Sequence, residues 1–312
     1  MAAEPLTVEL IKRRLLGRRR SGLDILIATA LLVSLLVAVG VLVLLLSNVV
    51  GQGGPLLVER GFKFITDPLS PTASEAGLRQ GLFGSVVLAV FVVLLAFPLG
   101  LAASIYLEEY AADTRPTRFL VANIRNLAGV PSIVYGLLGL TVFVGLARGV
   151  TNGRTLVAGG LTLTVLVLPI MIITASEALR AVPQALREAS YGVGATRWET
   201  IRHHVLPVAA PSILTGSVLT IARAFGESAP LLLAGAVVSN FFAAPAGTNL
   251  IGLVTRESYT SLPVVIYNWA RQPQEAFVEL TAAGIIVLLI MLLAVNAGAI
   301  LLRDRASRKP SL

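Results

Sequence analysis

Residues Leu179–Ile213 read LRAVPQALREASYGVGATRWETIRHHVLPVAAPSI. This polar, arginine-bearing stretch interrupts two long apolar runs. Gly192 and Gly194 disfavour one continuous helix and permit positive φ. The pattern predicts a helix over Val182–Ser190, a glycine turn, a second helix over Thr196–Val205, and a stop at Pro207 and Pro211 before the next apolar run. Such a unit forms a compact knob on a membrane surface. Arg187, Glu188, Arg197, Trp198 and Glu199 give it charge and one aromatic anchor, and Trp and Arg are favoured where a partner docks. The same pattern also fits a basic amphipathic loop resting on lipid headgroups.

The rest of the chain agrees with a membrane setting. It has 312 residues, 55% hydrophobic and 13% charged, with mean hydropathy +0.83. Soluble domains carry about 25% charged residues. The apolar runs are helix-length, too long for the strands of a membrane barrel, and backbone groups in hydrocarbon must be satisfied internally. The fold class is therefore all-α and polytopic. Net charge is +8, but the arginines cluster in loops beside spans, which points to orientation and not to nucleic acid. There is no cysteine, which excludes disulfides, thiol catalysis and Cys-ligated metals. The two histidines, His203 and His204, are adjacent and would point to different faces of a helix, so no metal site is expected. No Gly-Lys dipeptide occurs, so the chain holds no P-loop, and it is expected to be no enzyme and to bind no cofactor.

Six apolar segments are expected to span: about Leu23–Val50, Gly81–Leu107, Leu127–Ala147, Thr155–Ala175, Ser212–Val238 and Phe277–Leu302. The basic arm 1–22 resembles a signal-peptide start, but the apolar run after it is too long for one and reads as an uncleaved first span. With the N-terminus in the cytoplasm, seventeen of the 25 lysines and arginines lie on the cytoplasmic side and seven on the other. That bias puts both termini and the knob inside. The expected organisation is arm 1–22, first span 23–50, external loop 51–76, permease domain 77–302 with the knob loop 176–210, and tail 303–312. The external loop Ser239–Ala276 holds Phe241, Phe242, Tyr259, Tyr267 and Trp269, read as an interfacial aromatic belt or, alternatively, as a docking surface. Pro98, Pro131, Pro169 and Pro230 are placed inside spans as kinks.

Arg223 lies about 12 residues into the fifth apolar run, near the midplane, and Glu227 follows on the same helix face. A charge at that depth faces a cavity or a partner. One reading is a structural ion pair. The other is an anion path, because guanidinium presents a planar fork that matches oxyanions.

Glu188-Ala189-Ser190, three residues, Gly194, nine residues, His204, one residue, Leu206-Pro207 resembles the EAA motif of binding-protein-dependent ABC importer permeases. Ser190 and His204 depart from the motif's alanine and isoleucine. Residues 105–110 (IYLEEY), 129–136 (GVPSIVYG), 222–230 (ARAFGESAP) and 266–269 (IYNW) are similar to the PstA phosphate permeases, with coverage from about Gly77 to Leu302. The resemblance implies a MetI-like type I importer fold with six transmembrane helices in a bacterial or archaeal cytoplasmic membrane. It implies coupling to an ATPase through Glu188, Ala189, Ser190, Gly194, His204, Leu206 and Pro207, and a transport role for Arg223 and Glu227. The implied partners are a PstC-like permease, a PstB-like ATPase dimer and a PstS-like phosphate-binding protein, with no nucleic acid. Another oxyanion cargo such as molybdate or phosphonate, or an ion-coupled secondary transporter, are the alternatives.

Overall fold

The computed structural model describes residues 22–237, 250–255 and 257–307. The basic arm, Phe241, Phe242, Arg256 and the last five residues of the tail lie outside the described residues. Among the described residues there is no strand. Five helices are long and apolar enough to cross a bilayer, and a bent pair makes a sixth crossing if counted as one span.

The chain divides at Gly51 into two units. The first holds most of α1 (Gly22–Arg60), apolar on all sides as a span in lipid is. The helix does not end near residue 50: the expected loop 51–76 is helical through Arg60 and again over Phe62–Thr66. Arg60 closes this region by reaching Asp67 at 3.3 Å and lying over the Phe64 ring.

The second unit, from Gln52 onward, is a helical bundle. Besides the short helices Phe62–Thr66, Arg148–Thr151 and Leu250–Thr255, its elements are α2 (Arg79–Ile105), α3 (Arg115–Ala128), α4 (Ser132–Leu138), α5 (Leu156–Arg180), α6 (Gln184–Gly192), α7 (Arg197–Thr200), α8 (Leu206–Gly226), α9 (Ala229–Leu233), α10 (Leu262–Trp269) and α11 (Glu275–Ser307). π-Helical turns extend α2 over Tyr106–Tyr110, α4 over Gly139–Leu146 and α7 over Ile201–Val205. The central helix is α5, whose side chains are mostly buried against α2, α4 and α8. Buried hydroxyls along these helices donate to the carbonyl one turn earlier: Thr162 to Ala158 at 2.7 Å, Thr164 to Gly160 at 2.7 Å, Ser217 to Ile213 at 2.7 Å and Thr220 to Gly216 at 2.8 Å. These four hydroxyls are thereby satisfied within their own helices, whereas Thr260 Oγ1, Ser261 Oγ and Asn296 Oδ1 are buried without a partner among the described residues.

Several sequence expectations need correction. The third span does not begin at Leu127. Residues Arg115–Ala128 form a separate amphipathic helix, and the crossing segment starts at Ser132 after a bend of 104°. The cause is local: Pro131 has no N–H and pushes Val130 out of the α region. Tyr135 fixes the elbow by donating from its hydroxyl at 2.8 Å to the Leu127 carbonyl, which also accepts from the Val130 N–H at 3.0 Å. Pro131 and Pro230 therefore open helices and do not kink spans, whereas Pro98 and Pro169 do lie inside α2 and α5. The fifth span stops at Gly226, not Val238, and α9 is a separate short helix. The aromatic-belt reading fails for Tyr259 and Trp269, which are both buried. The Tyr259 hydroxyl sits 3.4 Å from the Leu231 carbonyl, burial pushes its phenol pKa up, and it stays a neutral donor. Trp269 packs on Phe64 with ring centroids 6.2 Å apart. Tyr267 is exposed.

The two broken helices meet at a glycine. A Cβ at Gly136 of α4 would lie 2.6 Å from the Pro230 Cα at the start of α9. Gly136→Ala is expected to separate these elements at a cost of about 1–3 kcal/mol. The readout is a lowered thermal midpoint of the detergent-purified protein. Gly149→Ala, where a Cβ meets nothing within 4 Å, serves as the control and should leave the midpoint unmoved.

Candidate functional site

The knob is built from α6 and α7 and the glycine turn between them. α6 begins after Pro183 and ends at Gly192. Gly194 then takes φ +89°, which lets its N–H reach the Tyr191 carbonyl at 2.9 Å and the Ala195 N–H reach the Ser190 carbonyl at 3.2 Å. A Cβ at Gly194 would meet nothing within 4 Å, so glycine is required for backbone conformation and not for space. Thr196 and Glu199 form a capping box that starts α7.

The two arms are pinned by a buried contact between Ser190 Oγ and Thr200 Oγ1 at 2.9 Å. Thr200 donates its only hydroxyl hydrogen to the Thr196 carbonyl, so Ser190 is the donor of the pair. The departure from alanine at Ser190 thus adds a hydrogen bond between the arms.

The second arm does not stop at Pro207. α7 runs through the π-turn into α8, and Arg197–Gly226 is one uninterrupted helical element. The Leu206 N–H reaches the Ile201 carbonyl, five residues back. This wider turn shifts the carbonyl register just before Pro207, which then occupies the first turn of α8 where a missing N–H is tolerated. His204 is exposed on this turn, while Val205 is buried and Leu206 half-buried against Met171, Ala175, Leu179 and Ile213. The motif's isoleucine position, filled here by His204, makes no buried apolar contact, and Val205 and Leu206 make one instead.

The knob is anchored by a feature the sequence reading left without a role. Glu108, Glu109 and Tyr110, on the π-turn that ends α2, each meet one arginine of the knob region. Arg180 Nε donates to Glu108 at 2.6 Å, Arg187 Nη2 donates to Glu109 at 2.7 Å, and the Arg197 guanidinium lies 5.5 Å from the centre of the Tyr110 ring. Arg187 does more: it also donates to the carbonyls of Leu179 at 2.9 Å and Val182 at 2.8 Å. Its side chain is 11% exposed and that of Glu109 is 5% exposed. Arg187 is therefore not presented to a partner but turned inward, where a buried cation demands this set of acceptors. An open cleft of about 560 Å³ lies beside these groups, lined also by Gln184 and Tyr191. What the knob does present outward is Glu188, Ala189, Tyr191, Val193, Trp198 and His204, all exposed.

Arg223 lies in the last turn of α8, not mid-span, and Glu227 lies beyond the helix with extended backbone (φ −83°, ψ 116°). The helical i,i+4 face expected for the pair is lost because the helix ends at Gly226. The two side chains still approach, with Arg223 Nε 3.5 Å from Glu227 Oε1. The guanidinium is 47% exposed and the carboxylate 19%. Among the described residues the Nη edge of Arg223 makes no hydrogen bond, so its planar fork is open to an oxyanion. The pair stands where α8 breaks, and Ala224 beside it shares a buried cluster with Tyr135 of α4 and Leu231 of α9.

A bundle of apolar helices carrying a surface knob continuous with one of its spans defines a membrane transport subunit. Residues 96–309 match the family described as binding-protein-dependent transport system inner membrane component, and the chain belongs to that family. Among its relatives, "Probable ABC transporter permease protein YqgI" of Bacillus subtilis is 40% identical over 56% of this chain, and the match spans 58% of that relative's length. "Phosphate transport system permease protein PstA" of Mycobacterium leprae is 35% identical over 89% of this chain and 88% of its own. Among solved structures, the MetNI methionine ABC transporter in inward-facing conformations aligns with a TM-score of 0.56 at 18% identity, covering 74% of this chain and 96% of that one. That last likeness shows the fold alone, MetI-like and all-helical; the family match and the relatives make the chain a multi-pass membrane permease of an ABC importer.

The anchor makes a quantitative prediction. Arg187→Met leaves the Glu109 carboxylate buried without its partner and is expected to destabilise the protein by about 3–5 kcal/mol. The double variant Arg187→Met with Glu109→Leu should recover much of that loss, because both charges go together. Thermal midpoints and protease sensitivity of residues 184–200 report both effects. A double variant no better than the single one would remove this pair from the anchor.

Proposed function

We infer that this chain is a permease subunit of an ATP-driven phosphate importer. The observation that carries the reading is kinship along nearly the whole chain with a relative named as a phosphate transport permease. The transport system pairs this subunit with a PstC-like permease, a PstB-like ATPase dimer on the knob side and a PstS-like phosphate-binding protein on the opposite side. The basic-residue bias of the sequence supports a cytoplasmic knob and cytoplasmic termini.

The geometry supplies a mechanism of alternating access. The ATPase grips the exposed face of the knob, where Trp198 and Tyr191 give large contact area beside Glu188 and His204. Motion leaves the knob by two rigid routes. Through Arg187–Glu109 it reaches the end of α2, and through the continuous α7–α8 element it reaches Arg223, about 39 Å away at 1.5 Å rise per residue. The half-exposed Arg223 fork lines the path together with groups of the second permease. Glu227 holds it neutralised when no anion is present, and phosphate displaces the carboxylate without leaving a bare charge.

Arg223→Gln should lower phosphate uptake by reconstituted complex about tenfold or more, the worth of a charge-assisted hydrogen bond. Arg223→Lys should fall between, since an ammonium keeps charge but loses the fork. Uptake at the unmutated rate by assembled Arg223→Gln complex would reject the path. Because the chain has no cysteine, Glu188→Cys and Trp198→Cys give single thiols on the knob. Both are expected to crosslink to the ATPase subunit, and a failure of both in assembled complex would falsify the docking face.

A further inference from the structure

α3 carries three distinct faces that the transport mechanism does not use. At 100° per residue, Thr117, Val121, Ile124 and Ala128 share one side, and these are the half-buried residues packed toward the bundle. Phe119, Leu120 and Leu127 share a second side and are 69%, 54% and 46% exposed. Arg118 and Arg125, seven residues apart, define a third edge with Arg115 and Asn126 near it, all exposed. That edge borders an open cleft of about 500 Å³ lined by Arg118, Arg125 and Arg180. Among the described residues lining it the one acid is Asp113, 3.5 Å from Arg118 and exposed to solvent screening, while Glu108 and Glu177 line a smaller neighbouring cleft with Arg125 and Arg180. Arg180 is held by Glu108, while Arg125 has no ion pair among the described residues.

The second observation is the direction of the helix. α3 meets the following crossing segment at 104°, and the Tyr135–Leu127 hydrogen bond holds that elbow. A helix nearly perpendicular to a span lies along the membrane plane. An exposed apolar face with arginines on the opposite, polar side of a helix in that plane matches the interface of a bilayer and not its core or bulk water.

We propose that α3 is an interfacial helix whose partner is the anionic phospholipid headgroup layer. Phe119, Leu120 and Leu127 enter the acyl boundary, and Arg118 and Arg125 meet headgroup phosphates. The helix thereby holds the elbow at Gly129–Pro131, and with it the start of α4, at a fixed depth. The proposal goes beyond the cargo reading and needs only the membrane class of the protein.

The test uses the assembled complex in phosphatidylcholine vesicles containing phosphatidylglycerol. Leu120→Cys and Ala122→Cys each give a single thiol for a fluorescent label. The label at 120 should be quenched by a lipid carrying a nitroxide near its headgroup and shielded from aqueous iodide, and the label at 122 should show the reverse. A label at 120 that iodide reaches, or that neither quencher reaches because another subunit covers it, overturns the proposal. Co-purified lipid gives an independent reading. The Arg118→Gln, Arg125→Gln double variant should lose phosphatidylglycerol enrichment by about fivefold per arginine, while the corresponding lysine variants retain it. Unchanged enrichment in the glutamine variant also overturns it. Neither readout depends on phosphate as cargo, so the two conclusions fail separately.

Discussion

A buried arginine sets the terms for this molecule. Arg187 is enclosed by a carboxylate from α2 and by two carbonyls at the end of α5. A guanidinium taken out of water needs all of these partners at once. The end of α2, the end of α5 and the start of α6 are therefore held in one arrangement. Beyond that demand, the knob is tied to the bundle by the Ala181–Pro183 connection, by Leu186 packing on the cluster around Leu179, and by Arg197 over the Tyr110 ring. With these ties, the knob becomes a rigid lever instead of a loop.

The second arm of the knob reaches the bundle by different means. Its π-turn keeps the chain helical past Pro207, so no hinge separates α7 from α8. Stiffness on both sides of the knob is what transmission of a push requires. The helical interruptions are elsewhere, at the 104° elbow before α4 and at the break between α8 and α9. Those two breaks face each other across Gly136 and Pro230. Arg223 stands at the end of α8 at this junction. The polar chemistry thus collects where helices are interrupted, which is also where backbone groups are free to turn toward a path.

Much of this was legible in the residues. The EAA-type spacing from Glu188 to Pro207 located the knob, and Gly194 was singled out as a turn residue, which its φ of +89° explains. The Arg223–Glu227 approach is also readable, though from proximity in sequence and not from a shared helical face, since the helix ends at Gly226. Other features were hidden for identifiable reasons. Proline was read as a helix stop at 207 because the rule assumes α-helical register, and a π-turn alters that register. The amphipathic α3 was absorbed into a span because its C-terminal residues, Leu127 and Ala128, are apolar. A threonine cap at Thr114 with Pro116 in the first turn was the available signal for it. The role of Glu108 and Glu109 had no local signal at all, since their partners lie more than seventy residues away.

The sequence by itself determined that this is an all-helical membrane protein, roughly where its spans fall, and where its surface lever sits. Those properties follow from local hydropathy, from glycine and proline, and from motif spacing, each of which acts over a turn or a membrane thickness. Only the tertiary structure decided which charges are tools and which are fasteners. Arg187 and Glu188 are neighbours in sequence, yet one is buried in an ion pair and the other faces solvent, because the end of a distant helix supplies a carboxylate to one and not to the other.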